Sequence, residues 1–537
     1  MSSRLFVPRT AWFGLLALAT VNCSPTPEKV GDECDPDGDP CPSGSVCRAG
    51  GEDDDDICQV PQGAQCDIGA QNAYCESGYE CVKDGVGGGR CGLAEGSACD
   101  PAASKCGGNL VCAEIDNGER KCFAPVLITG LVFDAKTEAG IPAAHVIALD
   151  EQSTAKTDVA VTDEKGNYAL SVPTVRTASG EPTDAFFEST FTMRASGSGY
   201  QSFPGGLRTS LPIDASAAKR EDRGWVIATP LTTIALVPLP ADQLGRVSIS
   251  GTVLAGDQSA GVLVVAEGEE SASAVSDLGG KYTIFNVADG QYQVAGYAAG
   301  LQLEPASATV KGADVPAIDL KKSDAALGKI TGSINIVNPE GGDATSVVLV
   351  VASTFSETFA RGDVPKGLRT PLSGPPSVTA GSFVIENVPA GEYWVLAGFE
   401  NDLLIRDPDP GIAGTQLVKV TMPSPGEEVA LSDSFKVTGA LQIISPGAED
   451  AEAVSGTPTF KWVDDSSEDE YTIVVYDSYG NEVWNETLPS VSGGDASVAY
   501  GGEPLEKGVY YQFRVTAMRD GGPISTSEDL LGVFYLE

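Results

Sequence analysis

The sequence predicts a mainly β protein in which tandem β-sandwich domains follow a small disulfide-rich region. Three observations carry that expectation. Apolar residues alternate at period two between turns rich in Gly (63) and Pro (34), with apolar residues still at 42%, too many for a disordered chain. Twelve of the 13 cysteines fall between Cys34 and Cys122, and none follows. A chain of 537 residues exceeds what one hydrophobic core organises, so several domains are required. The balance of 34 Lys and Arg against 75 Asp and Glu gives a net charge of −41, which repels phosphate backbones and anionic lipid surfaces and excludes nucleic acid as a partner.

At the N-terminus, Arg4 and Arg9 precede an apolar run from Ala11 to Val21, too short to span a bilayer, and Cys23 follows before a Ser-Pro-Thr-Pro tether. This segment resembles a bacterial lipoprotein signal. The resemblance implies that residues 1–22 are removed and that the Cys23 thiol carries a lipid, with residues 23–33 as a tether. Thr20 and Asn22 stand where such signals usually carry Leu and a small residue. Ordinary cleavage after Ala19 is the alternative and would release a soluble protein. An odd cysteine count in an exported chain asks for one special thiol, and Cys23 beside the signal supplies it. Ser24 after it resembles sorting to the outer membrane.

The other cysteines form three sets of four: Cys34, Cys41, Cys47, Cys58; Cys66, Cys75, Cys81, Cys91; and Cys99, Cys106, Cys112, Cys122. Each set opens with Gly-x-x-Cys, at Gly31, Gly63 and Gly96, and the second and third cysteines are always six positions apart. Units this small cannot bury enough apolar surface unaided, so residues 34–125 are expected to be stapled by disulfides whose pairing the spacing leaves open among three choices per unit. The gaps lack the short Cys-x2-4-Cys knuckles of zinc sites, and no metal is expected. The units look like small EGF-like or Dickkopf-like modules. The acidic runs Asp35, Asp37, Asp39 and Asp53–Asp56 lack the Gly and distal Glu of a calcium loop and read as solvated turns.

Residues 126–240 show strand patterns carrying Gly130, Val132, Asp134, Pro142, Ala144 and Val146, then Thr162, Asp163, Gly166 and Tyr168, then Gly199-Tyr200. They resemble the carboxypeptidase regulatory-like domain, a transthyretin-like sandwich without catalytic residues. Segments 245–322 and 327–435 share the motifs GKYTIFNVADGQYQV from Gly280 and GSFVIENVPAGEYWV from Gly381, read as a repeated hairpin turning after Asn286 or Asn387. The third module carries a Pro- and Gly-rich insertion between Thr354 and Gly381, expected to be a binding loop or a disordered spacer. Residues 438–537 resemble a fibronectin type III domain, with Trp462 as a core residue and Tyr511 at the tyrosine corner.

His145 is the chain's single histidine, so a two-histidine zinc site cannot be assembled; a Ser-His-Asp triad would have to use His145, but no Gly-x-Ser-x-Gly elbow is present, and although 75 acids leave carboxylate pairs open, no catalytic residue or cofactor is assigned. The expected function is a non-enzymatic, lipid-anchored surface scaffold of the bacterial envelope, partnered by the membrane and by surface proteins or glycans. Alternatives are carbohydrate recognition through loop aromatics such as Tyr200, Tyr297 and Phe399, and an accessory subunit of a secreted hydrolase.

Overall fold

The computed structural model describes residues 30–537 except 36–40, 43–44, 50–55, 67–73, 77, 84–88, 101–105, 151–152, 222–223, 338–344, 360, 373–380, 400–404, 407–416, 433–434, 439, 492 and 528–530. Cys23, Asp37, Asp39 and Asp53–Asp55 therefore lie outside the described residues. The chain divides into two compact units: Met1–Ala124 with Arg176–Glu181, and Pro125–Val175 with Pro182–Glu537.

In the first unit each cysteine set builds the same object. Two short strands pair antiparallel with the third and fourth cysteines directly opposite, Cys47 with Cys58, Cys81 with Cys91 and Cys112 with Cys122. The first cysteine bonds the third and the second bonds the fourth, giving Cys34–Cys47 and Cys41–Cys58, Cys66–Cys81 and Cys75–Cys91, Cys99–Cys112 and Cys106–Cys122. The Gly-x-x-Cys signature now has a cause. Gly31, Gly63 and Gly96 adopt φ of +94°, +80° and +82°, and their N–H groups donate to the carbonyls of Cys58, Cys91 and Cys122 at 2.8, 2.7 and 2.8 Å. A side chain would strain that left-handed turn, which closes each unit onto its fourth cysteine.

The second unit holds four sandwiches. In the first, the sheet containing Val126–Asp134, Asn167–Val172, Gly224–Ile227, Lys219–Glu221 and Thr233–Leu236 faces the sheet of His145–Leu149, Thr190–Ser196, Ala160–Val161 and Ile213–Asp214. The second packs Val247–Leu254, Lys281–Val287, Leu320–Lys322 and Leu303–Glu304 on Leu263–Glu267, Ala272–Val275, Gly290–Tyr297 and Ala306–Val310. In the third, Gly328–Val337, Gly381–Val388 and Glu428–Ala430 face Thr345–Val351, Gly391–Phe399 and Val418–Met422. The fourth sets Thr459–Val463, Ile443–Ser445 and Asp495–Ala499 against a sheet built on Tyr510–Arg519 and Glu470–Asp477.

One expectation is corrected. Lys281–Val287 and Gly290–Tyr297 do not form a hairpin, nor do Gly381–Val388 and Gly391–Phe399: the first strand of each pair lies in one sheet and the second in the other. Tyr282, Ile284, Tyr292 and Val294 all enter one core. Because the two strands of each pair lie in different sheets of one sandwich while their apolar faces share its core, the turn between them is an arch across the sandwich.

The Gly-x-Tyr motif has a structural role in the same cores. The Tyr168 hydroxyl donates to the Thr232 carbonyl at 2.6 Å, and that of Tyr282 donates to the Ile318 carbonyl. Both carbonyls press onto glycine in the first strand, since a Cβ on Gly130 or Gly251 would lie 1.8 Å from the Thr232 oxygen or 1.9 Å from that of Ile318. In the third sandwich Phe383 takes the tyrosine's place, without a hydroxyl, under Gly332 and against Leu431.

Several of the described strands are buried on both faces. In His145–Leu149, Val146 and Ala148 enter the first core, whereas Ile147 and Leu149 join an apolar seam with Leu263 and Val265 of the second sandwich. Val264 and Ala266 fill the second sandwich's own core. In Thr345–Val351, Val347, Leu349 and Val351 face inward, and Val348 and Val350 are covered by Phe355 and Val364 from the insertion. A strand buried on both faces reads as an unbroken apolar run, as Val262–Ala266 does.

Because every cysteine bond lies in the first unit, reducing the protein should abolish that unit's thermal transition, each staple contributing about 3 kcal/mol. The sandwich transition should stay where it is; calorimetry with and without a phosphine reductant measures both.

Candidate functional site

The polar side chains that converge in the second unit do so at its internal junctions. The repeated Asn of the arch is the first component. Asn286 and Asn387 both sit at φ +59°, a left-handed position that Asn tolerates better than most residues. From there the Asn286 amide accepts from the Gly199 N–H at 2.7 Å and donates to the carbonyls of Gly197 at 3.0 Å and Tyr200 at 2.8 Å. Asn387 meets the equivalent Gly300-Leu301-Gln302 segment of the second sandwich: its carbonyl accepts from Gly300 N–H at 2.9 Å, and Gln302 Oε1 accepts from Ala390 N–H at 2.9 Å. The repeated motif therefore encodes a joint to the preceding sandwich as well as a core arch.

The insertion of the third sandwich is the second component, and its described part is neither a free binding loop nor a spacer. Asp363 binds Arg194 of the first sandwich at 3.1 Å, Arg194 donates to Ser273 Oγ of the second at 2.9 Å, and Ser273 donates back to Asp363. One residue from each of three sandwiches closes this triad. Arg361 donates to the carbonyls of Gly206 at 3.2 Å and Arg208 at 2.9 Å, and Lys366 donates to that of Ala260 at 3.1 Å. Burial pushes the Asp363 carboxyl up, but Arg194 and the Ser273 hydroxyl outweigh it and hold the carboxyl below its ordinary range.

The fourth sandwich docks on the first. The Arg208 guanidinium lies between the Phe203 ring at 4.7 Å and the Tyr510 ring at 4.3 Å, the Gln201 amide donates to Ser478 O at 2.8 Å, and Lys136 pairs with Glu506 at 3.0 Å. The exposed Lys136–Glu506 pair contributes little, and the half-buried cation between two rings contributes more.

Of the aromatics singled out from the sequence, Tyr297 and Tyr200 serve internal contacts. Tyr297 is 4% exposed, donates to Glu267 at 2.7 Å and meets Tyr393 edge-on at 6.0 Å. Tyr200 donates to Asp134 at 3.0 Å, and burial together with that carboxylate pushes its hydroxyl up to about 12. Phe399 lies in the strand Gly391–Phe399, with its side chain outside the described residues. Trp462 is fully buried against Tyr471, and Tyr511 Oη accepts from the Glu506 N–H at 2.8 Å. His145 packs edge-on against Phe285 at 4.9 Å, where burial lowers its pKa. A shallow depression on the first sandwich is lined by Thr129, Leu131, Val161, Asn167 and Thr233. Among the described residues, clusters of three or more metal-ligating side chains are all made of cysteine sulfurs, and no helix is long and apolar enough to cross a membrane.

No protein-family model matches the chain, and no curated protein matches it. Among solved structures it is similar to the Bacillus anthracis TIE protein at 12% identity, covering 73% of this chain and 65% of that one, with a TM-score of 0.13. It is also similar to a tetra-tandem repeat from the extending region of a large adhesion protein (15% identity, 77% and 100% covered, TM-score 0.14) and to BcpA, the major pilin subunit of Bacillus cereus (11%, 58% and 98%, TM-score 0.15). At such TM-scores nothing about function follows from these likenesses.

Two outcomes are expected of the junctions. Asp363→Asn leaves Arg194 in a largely buried site without its counter-charge and should cost about 1–3 kcal/mol in chemical denaturation, less than a fully buried pair because Asp363 keeps contact with water. Since its folded pKa is depressed, this carboxylate stabilises the wild type above its unfolded pKa, and the contribution disappears in acid as pH falls through the folded value. The acid-side loss of stability should therefore shrink in the variant. His145, also depressed, favours the fold while neutral. Its single NMR titration should have a midpoint below about 6.5, and His145→Phe should flatten the stability change between about pH 7 and 5.5.

Proposed function

We propose that this chain is an exported, non-enzymatic surface scaffold, anchored through a lipid on Cys23, in which the sandwich body presents the cysteine-rich units or loop tips to partners at the bacterial envelope. The observation that carries this reading is where the polar groups go: Asn286, Arg194, Ser273, Asp363 and Arg361 are consumed in fixing one sandwich to another. Such a body transmits position and load, and six disulfides suit an oxidising exterior. On this reading the first sandwich is a carboxypeptidase regulatory-like module, and the second shares its Gly-x-Tyr core. The last is fibronectin type III-like, supported by the Tyr511 corner and the Trp462 core.

Intact mass of the mature protein tests the anchor: acylation on Cys23, with twelve hydrogens gained on reduction of the bonded cysteines, is the expected result. A chain beginning just after Ala19 with no acyl mass contradicts it. Labelling of whole cells with a membrane-impermeant amine reagent should mark the protein, and a glycan array should stay silent; saturable glycan binding would move the reading to carbohydrate recognition.

A further inference from the structure

Disulfide pairing alone does not require the two bonds of a unit to touch. Here they do. The Sγ atoms of the first, second and fourth cysteines, Cys34, Cys41 and Cys58, lie within 4.8 Å of one another, as do those of Cys66, Cys75 and Cys91 and those of Cys99, Cys106 and Cys122. The remaining cysteine of each unit, Cys47, Cys81 or Cys112, is bonded to the first member of that cluster. Four sulfurs thus converge in one small volume, three times over. The cause is the fold of the unit: the third and fourth cysteines sit opposite each other on a strand pair, and the left-handed glycine turns the first cysteine back onto the fourth. The fourth cysteine is fully buried each time, so the cluster is shielded on one side.

We infer that each unit, once reduced, is a binding site for one thiophilic divalent ion of the zinc type, held by its four cysteine sulfurs. A tetrahedral zinc–thiolate centre has Zn–S distances of about 2.3 Å and so sulfurs roughly 3.8 Å apart. The observed clusters need a contraction of about 1 Å at most, together with separation of the two bonded pairs. The long gaps along the chain argue against a zinc knuckle, but coordination depends on distance in space, and the hairpin supplies that. The chemistry balances. A dithiol reductant delivers two electrons and two protons to each S–S bond and leaves as its own cyclic disulfide, and the metal ion then displaces the proton of each thiol it ligates. The unit is small enough to need a staple in either state, so the redox condition selects which staple it uses: two covalent bonds when oxidised, one metal ion when reduced.

The test uses the full chain with Cys23→Ser, so that the additional thiol takes no part, reduced by a phosphine and freed of it without oxygen. Titration with Co2+ should give sulfur-to-cobalt charge-transfer absorption and tetrahedral visible bands that saturate at three equivalents, one for each sulfur cluster. Zn2+ should displace the cobalt, and the oxidised chain should show neither band. Adding Cys41→Ser should reduce saturation to two equivalents, and circular dichroism of the reduced chain should regain the oxidised signal when metal is added. Absence of thiolate bands, or stoichiometry that remains at three in Cys41→Ser, overturns the assignment.

Discussion

The structure of the second unit depends on one constraint: strands whose two faces are both apolar must be covered twice. Ile147, Leu149, Leu263 and Val265 point away from their own sandwich cores and would stand in water if the modules were beads on a string. Burying a side chain of this size contributes about 1.5–3 kcal/mol, far more than any exposed ion pair. The seam therefore sets the arrangement. The polar joints then fix its register: Asn286 grips the Gly197–Tyr200 segment, and Asp363 reaches Arg194 and Ser273.

The fold was readable where local pattern and final environment agree. Period-two strands, the Gly-x-x-Cys turns and the Trp462 and Tyr511 positions announce themselves because alternation, left-handed glycine and core aromatics are local properties. The arch reads as a hairpin in the sequence because a motif of two alternating strands joined by a short turn looks the same whether they share a sheet or face each other across a core. Only the partner strands, Val247–Leu254 for one and Leu263–Glu267 for the other, distinguish the cases, and they are far away in sequence.

The junctions were legible only in part. The unbroken run Val262–Ala266 carried the signal of two-sided burial, and the repeat of Asn286 and Asn387 at left-handed positions hinted at a role beyond the turn. Nothing local marks Asp363 as the partner of Arg194, because a carboxylate in a Gly- and Pro-rich insertion looks like every other acidic loop residue in so acidic a chain. Likewise, the cysteine spacing shows that the units are stapled, whereas the convergence of their sulfurs depends on how each strand pair closes.

The two-sided burial is open to a direct comparison. Val265 is fully buried in the seam, whereas Val161, also on a sandwich strand, is 57% exposed. Chemical denaturation of the oxidised full chain carrying Val265→Asp should show a loss of about 3 kcal/mol or more, with the first and third sandwiches destabilised along with the second, against less than about 0.5 kcal/mol for Val161→Asp. If the two substitutions behave alike, the outer face of Leu263–Glu267 is open to water and the sandwiches are not joined by an apolar seam.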